Sequence, residues 1–120
     1  NSNVTVECPA GIYNYTHEGI YGKEVEQLIN QRHAKYCFAS CNGLDIQNGI
    51  TFSTDLDLTM TRVCRNNCDK MVLLADHTKF NTTYYFKILS LTDIDILITD
   101  RKPDELWITY CKENSITLLY

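Results

Sequence analysis

Apolar and polar positions alternate in short blocks along this chain, and the period of the alternation changes in a regular order. Residues 3–8 alternate with the period of two that predicts a β-strand, and the Pro-Ala-Gly of residues 9–11 predicts the turn that ends it. After a loop, apolar positions from Gly22 onward repeat every three to four residues. This pattern predicts a helix that ends before His33.

The middle of the chain repeats this order of strand and helix. Residues 35–40 are a short apolar run that predicts a strand, and Asn-Gly pairs at 42–43 and 48–49 predict two turns after it. A hydroxyl N-cap, an acidic first turn and a 3.6-residue period then predict the longest helix, over about residues 54–67.

The last third of the chain continues the alternation. Residues 71–75 form a continuous apolar run, which is typical of a parallel strand covered on both faces. Residues 94–100 repeat that arrangement, a helix opens at Pro103 and extends to about Glu113, and residues 116–120 close as a strand. Strands that alternate with helices predict an α/β fold with a mostly parallel sheet and flanking helices.

Composition limits this fold to one domain with a modest core. The chain has 120 residues, of which 44% are hydrophobic, and a net charge of −4 that repels nucleic acid phosphates. No apolar run approaches the length of about 20 residues that spans a bilayer, so we expect no membrane contact. A strand-like run begins almost at once at Val4 without an initiating Met. We therefore expect a piece of a longer protein, in which another segment contacts any DNA.

Six cysteines leave two interpretations open. Their even number and three glycosylation sequons, at Asn3, Asn14 and Asn81, are compatible with a secreted, disulfide-linked domain. Two prolines, five glycines and the apolar pattern favour a core-forming α/β protein instead. Cysteine pairs at 37–41 and 64–68 lack the spacing of zinc sites, so we expect no metal and no other cofactor.

Polar residues directly follow the predicted strands. In open parallel sheets ligands bind beyond the carboxyl ends of the strands, so the loops at these ends form the candidate site. Lys79, shortly after a strand end, offers a charge that can neutralise a phosphate beside the free backbone amides of its turn. The alternative is an exposed lysine in a salt bridge with Asp76.

A family resemblance becomes visible at these loops. Residues 72–80, Val-Leu-Leu-Ala-Asp-His-Thr-Lys-Phe, followed by residues 91–100, which end in Ile-Thr-Asp, resemble the C-terminal effector domain of the DeoR family of bacterial repressors. Residues 38–51 are similar to the family's strand and Gly-hydrophobic-Asp loop. Pro-Ala-Gly at 9–11 stands where the family has a Gly-Gly loop, and Gly22 stands where a glycine opens the next helix.

The resemblance implies a fold similar to that of sugar-phosphate isomerases and CoA transferases. It also implies that a phosphorylated sugar is the effector of a homo-oligomeric cytoplasmic repressor, whose cysteines would be reduced. Residues 1–120 are then an incomplete effector-binding domain. An N-terminal winged helix-turn-helix domain that binds DNA, and a first strand with an Asp-x-Gly-Thr-Thr-like phosphate loop, would precede them.

Each candidate ligand contact also has a simpler interpretation. Asp45 and Asp76 would accept hydrogen bonds from sugar hydroxyls, or cap their own turns. The glycines and the Asn-Gly pair would let the backbone approach the ligand, or serve only as turns. His77 is expected to be a neutral contact, and Asp100 is more typical of a turn. The predicted ligand-binding residues are Gly11, Asn42, Gly43, Asp45, Asp76, His77 and Lys79.

A sugar-phosphate isomerase or deaminase with the same fold is the alternative function. Such an enzyme needs a positioned general base near the substrate carbon. Asp45 and Asp76 are candidates for that base, but no further acid–base pair is evident in the candidate loops. The sequence therefore favours a binding domain without catalytic residues.

Overall fold

A parallel sheet beside a smaller antiparallel sheet forms the centre of this computed structural model, which describes residues 3–120. The helices, in chain order, are α1 (Lys23–Asn30), α2 (Asp55–Asn66) and α3 (Glu105–Glu113). The strands, in chain order, are β1 (Ile12–Asn14), β2 (Gly19–Tyr21), β3 (Ala34–Ser40), β4 (Gly43–Asp45), β5 (Gly49–Phe52), β6 (Cys68–Leu74), β7 (Phe86–Leu89), β8 (Ile96–Ile98) and β9 (Thr117–Leu119).

The parallel sheet has the strand order β3-β6-β8-β9. Phe38 pairs with Val72, and Val72 pairs with Ile96, so three strands are aligned at the same height. The prediction of an α/β fold with a mostly parallel sheet and flanking helices is thereby confirmed. The sequence did not predict the antiparallel sheet of β4, β5 and β7.

The core lies on one face of the parallel sheet. Met71 and Leu73 of β6 and Leu97 of β8 face it and are at most 1% exposed. Trp107 and Cys111 of α3 belong to the same cluster, together with side chains from α2 and the antiparallel sheet. Each large apolar side chain contributes about 1.5–3 kcal/mol by its burial, so this layer holds the strand ends in place.

Local signals place the helix ends. Thr54 caps α2 by accepting a hydrogen bond from the N–H of Asp57 at 3.3 Å, as the N-cap pattern predicted. The last helix begins at Glu105 rather than at Pro103. The reason is that the side chain of Asp104 accepts a hydrogen bond from the first turn and makes this residue the N-cap.

The first part of the described chain differs most from the prediction. Residues 3–10 form no strand, and the alternating Val4 and Val6 are 70% and 84% exposed. A strand needs a backbone partner, and none of the strands in the described residues pairs with this segment. Residues 12–21, predicted as a loop, form a hairpin of β1 and β2. Asn14 Oδ1 closes this hairpin by accepting hydrogen bonds from two N–H groups of the turn.

The chain bends at Asn42, between β3 and β4, but the Asn-Gly pair at 42–43 does not form the predicted turn, because Gly43 is already part of a strand. Gly43 begins β4 and pairs with Thr51, and a Cβ atom at Gly43 would lie 2.3 Å from the carbonyl oxygen of Thr82. Glycine is therefore required here by close backbone packing. The chain turns at residues 46–48, and Gly49 follows with a φ of +79°, as the second Asn-Gly pair predicted.

The prediction that the strand at 71–75 is covered on both faces holds at Val72, which lies on the outer face and is 3% exposed, but not at Leu74, which is 44% exposed on the same face. Phe38 on β3, which pairs with Val72, is 65% exposed. The helices α2 and α3 bury their apolar residues on the other face, where the core lies. Within residues 3–120, the outer face of the parallel sheet is thus buried at Val72 and exposed at Phe38 and Leu74.

The remaining expectations concern the state of the cysteines, metal binding and membrane contact. All six cysteines are free thiols, and Cys41 and Cys111 are buried in the core. No group of three His, Cys, Asp or Glu side chains suited to a metal ion occurs in residues 3–120. In the same part of the chain, every helix is too short or too polar to cross a membrane.

Candidate functional site

The carboxyl ends of β3, β6 and β8 meet at one edge of the parallel sheet. Asn42 follows β3, residues 76–79 follow β6, and Asp100 follows β8. The N–H of Ala75 donates to the carbonyl of Ile98 at 3.0 Å and fixes the relative height of the last two loops. The loops at this edge contain four predicted site residues: Asn42, Asp76, His77 and Lys79.

Lys79 contributes a positive charge that forms no ion pair within the described residues, although it lies near enough to the Asp76 carboxylate to lower the pKa of that group. Its half-buried side chain forms no ion pair and no hydrogen bond within residues 3–120, so the alternative salt bridge with Asp76 is not formed. Burial raises the pKa of the Cys41 thiol to about 12, while the charge of Lys79 lowers it and that of Asp76 raises it. The ammonium therefore lies close enough to the end of β3 for its charge to act there.

The backbone amides of the turn after β6 are not free, contrary to the prediction. The N–H groups of Thr78 and Lys79 donate to the side chain and the carbonyl of Asp76 at 2.8 and 3.0 Å. The N–H of His77 donates to Asp100 Oδ1 at 2.6 Å. An anion at this turn would thus be recognised by the lysine charge and not by a nest of backbone amides.

Only one of the two carboxylate oxygens of Asp76 accepts hydrogen bonds from the described residues. Its Oδ1 accepts hydrogen bonds from the hydroxyl and the N–H of Thr78, and these bonds lower the pKa of Asp76. Its Oδ2 accepts no hydrogen bond from the described residues. Asp76 therefore caps its own turn and still offers one acceptor oxygen at the sheet edge.

His77 is the middle member of a polar chain across two loops. Its Nδ1 lies 2.7 Å from Asp100 Oδ2, and its Nε2 contacts the guanidinium of Arg101. Because a guanidinium only donates hydrogen bonds, Nε2 can act only as the acceptor in this contact, and Nδ1 is then the donor to Asp100. The bond from His77 lowers the pKa of Asp100 to about 2. Neither ring nitrogen is left for proton transfer to a substrate.

A cavity of about 490 Å³ opens beside the end of β3. Cys41 and Asn42 lie in one wall, and β2, α1 and α2 provide the others. The carbonyl oxygen of the Asn42 side chain accepts a hydrogen bond from the N–H of Ser53 at 2.9 Å, whereas its NH₂ group has no partner within residues 3–120. The volume lies in the range of roughly 300–1,000 Å³ that is usual for small-molecule sites.

Tyr21, Asp57 and His17 form a polar group in the cavity wall that the sequence did not predict. The hydroxyl of Tyr21 donates to Asp57 Oδ1 at 2.6 Å, and the hydroxyl of Thr54 donates to Oδ2 at 3.0 Å. Burial and the bond with Asp57 raise the pKa of Tyr21 to about 12. The polar turn between short apolar runs at residues 12–21 was the available signal, because a hairpin there brings Tyr21 to the start of α2.

Three predicted site residues lie away from the loops at 76–79 and 100. Asp45 ends β4, and its Oδ1 accepts hydrogen bonds from two N–H groups of its own turn at 3.0 and 2.8 Å. Gly43 packs against Thr82, as described above. A Cβ atom at Gly11 would lie 2.7 Å from a methyl group of Val25, so Gly11 allows the chain to approach α1 closely.

A lysine without an ion pair in the described residues and a polar cavity both lie at the carboxyl edge of the parallel sheet, where open sheets of this kind bind ligands. Both ring nitrogens of His77 at this edge are engaged in contacts with Asp100 and Arg101. The family model of the DeoR C terminal sensor domain matches residues 1–101. The chain belongs to this family.

Curated relatives of the chain are transcription regulators. It is 30% identical over 116 residues to the L-fucose operon activator of Haemophilus influenzae, a match that covers 96% of this chain and 46% of the relative. It is 34% identical over 105 residues to the HTH-type transcriptional regulator GolR of Listeria innocua, with 85% and 40% covered. The HTH-type transcriptional repressor GlcR of Bacillus subtilis is 28% identical over 103 residues, with 86% and 40% covered.

The chain thus spans less than half the length of these relatives. The prediction of a sensor domain, rather than of an isomerase or a deaminase, is confirmed, because the matched proteins are transcription regulators and the matched family is a sensor domain.

Proposed function

We propose that this chain is part of the effector-binding domain of a DeoR-type transcription regulator and that its effector is a phosphorylated sugar. Relatives named for the L-fucose operon and the deoxyribose operon support a sugar as the effector. The net charge of −4 supports DNA binding by a separate winged helix-turn-helix domain outside residues 1–120. The proposed regulator is a cytoplasmic homo-oligomer with reduced thiols.

The ammonium of Lys79, which forms no ion pair within the described residues, carries this proposal. A phosphate dianion needs a cation that is not already paired. Two further cations near this edge are paired: Arg101 contacts His77 and lies 3.8 Å from Asp100 Oδ2, and Lys102 Nζ lies 3.2 Å from Glu105 Oε1. Lys79 has no such partner within the described residues, and a charge-assisted hydrogen bond to phosphate contributes about 1.5–3 kcal/mol.

The sugar is proposed to occupy the cavity next to Cys41. The NH₂ group of Asn42 would donate to a sugar hydroxyl, and Asp76 Oδ2 would accept from another. On the opposite wall, the hydrogen-bonded pair of Tyr21 and Asp57 would contact the far side of the ring. His77 would hold the loop after β6 in place through its contact with Asp100, whereas Gly11, Gly43 and Asp45 have structural roles away from this site.

A binding panel on the full-length protein tests the proposal. Sugar phosphates and the same sugars without phosphate are added, and thermal unfolding and product formation are measured in parallel. We expect stabilisation by at least one sugar phosphate without turnover, of about 2.7 kcal/mol when its concentration is 100 times Kd. Turnover would favour the enzyme, and equal stabilisation by the unphosphorylated sugar would remove the phosphate from the proposal.

A further inference from the structure

Three thiols lie close together where α2 packs on the parallel sheet. Cys37 of β3 pairs with Met71 of β6, and paired residues point to the same side of a sheet, so its thiol lies on the face that carries the core. Cys64 belongs to the last turn of α2, which packs on β3 and β6, and Cys68 is the first residue of β6. The fold thus brings cysteines from a strand, a helix and the next strand into one cluster.

Within this cluster, Cys37 and Cys64 interact most strongly. Their hydrogen bond, followed by burial, raises the pKa of the Cys37 thiol, and the charge of Cys68 adds a smaller effect. The same bond lowers the pKa of the Cys64 thiol to about 7, although burial opposes this. Cys64 is therefore partly ionised at neutral pH, and the thiolate is the form of cysteine that reacts with oxidants.

Cys68 is less suited as a partner because its thiol is already engaged. Its Sγ donates to the carbonyl oxygen of Arg65 at 3.5 Å, a bond within the segment that joins α2 to β6. A cysteine held in this way has to break that bond before its sulfur can reach another thiol. Cys37 is therefore the partner that remains for Cys64.

A cavity of about 370 Å³ lies beside the pair. Cys37 and Cys64 line it together with Leu28 of α1, and both cysteines are half-buried. A water molecule takes up about 30 Å³ of liquid, so a small peroxide fits into this space. Cys64 is therefore accessible to such an oxidant, whereas Cys41 and Cys111 in the core are at most 6% exposed.

We propose that Cys64 and Cys37 are a peroxide-sensitive thiol pair that closes to a disulfide between α2 and β3. The Cys64 thiolate attacks one oxygen of a peroxide, the O–O bond breaks, the departing oxygen takes up a proton, and Cys64 becomes a sulfenic acid. The Cys37 sulfur then displaces hydroxide from Cys64, and the hydroxide leaves as water with the Cys37 proton. Two thiols thereby give two electrons to one peroxide. Two molecules of a cellular thiol reopen the bond by exchange and become a disulfide themselves.

The disulfide would tie together two walls of the cavity proposed for the effector. β3 leads directly to Cys41 in one wall, and α2 carries Asp57 and Thr61 in another. All six cysteines are free thiols, so the structure describes the reduced state, and the thiol chemistry does not depend on which effector binds. Because residues 37 and 64 are 27 positions apart, the bond also restricts the unfolded chain and should raise the melting temperature.

Disulfide mapping of the full-length protein tests this proposal. The protein is treated with hydrogen peroxide, its remaining thiols are alkylated under denaturing conditions, and non-reducing electrophoresis separates single chains from linked copies before mass spectrometry. We expect a disulfide between Cys37 and Cys64 within one chain, at least about tenfold more abundant than any disulfide of the exposed Cys8, and its loss after dithiothreitol. The melting temperature of the oxidised protein should be about 5 °C or more above that of the reduced protein.

Two single variants separate the steps. Cys37→Ser keeps a hydrogen-bonding group beside Cys64 but cannot close the disulfide, so we expect a sulfenic acid at Cys64 that dimedone labels. Cys68→Ser is the matched control and should form the disulfide to the same extent as the wild-type protein. Absence of the bond between Cys37 and Cys64, a disulfide that needs Cys68, or a bond between two copies would overturn the proposal. So would an unlabelled Cys64 in Cys37→Ser, or a melting temperature that falls on oxidation.

Discussion

The turns after β4 and β6 each begin with an aspartate. They differ in which of their polar atoms remain without a hydrogen-bond partner. In the turn after β4, Asp45 Oδ1 accepts hydrogen bonds from the N–H groups of Gln47 and Asn48 and from the Asn48 side chain. In the turn after β6, Asp76 keeps one oxygen free, and Lys79 has no ionic partner within the described residues. A polar residue at a strand end is thus available to a ligand only where its own turn does not already satisfy it.

The two turns are also held in different ways. The first is closed by its own hydrogen bonds. The second is anchored to the core, because Phe80 packs edge-to-face on Trp107 with ring centroids 5.0 Å apart, and Trp107 Nε1 donates to Asn81 Oδ1 at 2.9 Å. Trp107, expected to pack against the sheet or a partner subunit, is 1% exposed in the core. The Lys79 turn therefore depends on the whole fold.

Removal of this anchor has the largest expected effect. Trp107→Ala should lower the free energy of unfolding of the sensor domain by about 3–5 kcal/mol, because it leaves a large cavity beneath the Lys79 turn. Denaturant titration of the full-length protein measures this effect. Trp107→Phe keeps an aromatic ring and should lower the free energy of unfolding by less. If both variants lower it equally, the hydrogen bond to Asn81, and not packing, anchors the turn.

Lys79→Met should separate effector binding from DNA binding. Loss of a charge-assisted hydrogen bond of about 1.5–3 kcal/mol weakens sugar-phosphate binding by roughly 10- to 150-fold. Operator affinity without effector should stay unchanged, since Lys79 is at the sheet edge. Calorimetry and an operator titration at constant salt measure the two effects. Lys87→Met, which removes a lysine bonded to Asn48 at 3.1 Å, is the matched control and should leave both affinities unchanged.

Asp45→Ala should affect stability and not effector binding. The turn loses the acceptor of three hydrogen bonds, and the loss of a comparable capping residue costs about 0.5–2 kcal/mol. Thermal unfolding without a sugar phosphate measures the loss of stability, and unfolding with a sugar phosphate measures whether effector binding is retained. A loss of effector affinity as large as that of Lys79→Met, in a folded protein, would show that Asp45 contacts the ligand after all.

Local signals predicted the helices and the parallel strands, whereas the walls of the cavity depended on non-local contacts. The N-cap at Thr54 and the apolar run of β6 are readable within a few residues. The bond between Tyr21 and Asp57 joins positions 36 apart in the chain, and the hairpin pattern at residues 12–21 does not identify Asp57 as the partner of Tyr21. Val4 and Val6 alternate as a strand does, but strand formation depends on a partner that local sequence cannot supply.

The smallest expected effect concerns the pH dependence of the link between the two loops. The bond from His77 lowers the pKa of Asp100 to about 2, below its value in an unfolded chain. The stabilisation is therefore fully present above about pH 4 and is lost as the pH falls towards 2. The melting temperature of the wild-type protein should fall more steeply over this interval than that of Asp100→Asn. Parallel curves would show that the bond does not contribute to stability.

The phosphate preference of the wild-type protein and of Lys79→Met tests the central claim most directly. Calorimetry gives the affinity of each full-length protein for one sugar phosphate and for the same sugar without phosphate. We expect the wild-type protein to prefer the phosphorylated sugar by at least about tenfold, and Lys79→Met to lose most of this preference while its affinity for the free sugar stays the same. An equal preference in both proteins would contradict the placement of the phosphate at Lys79.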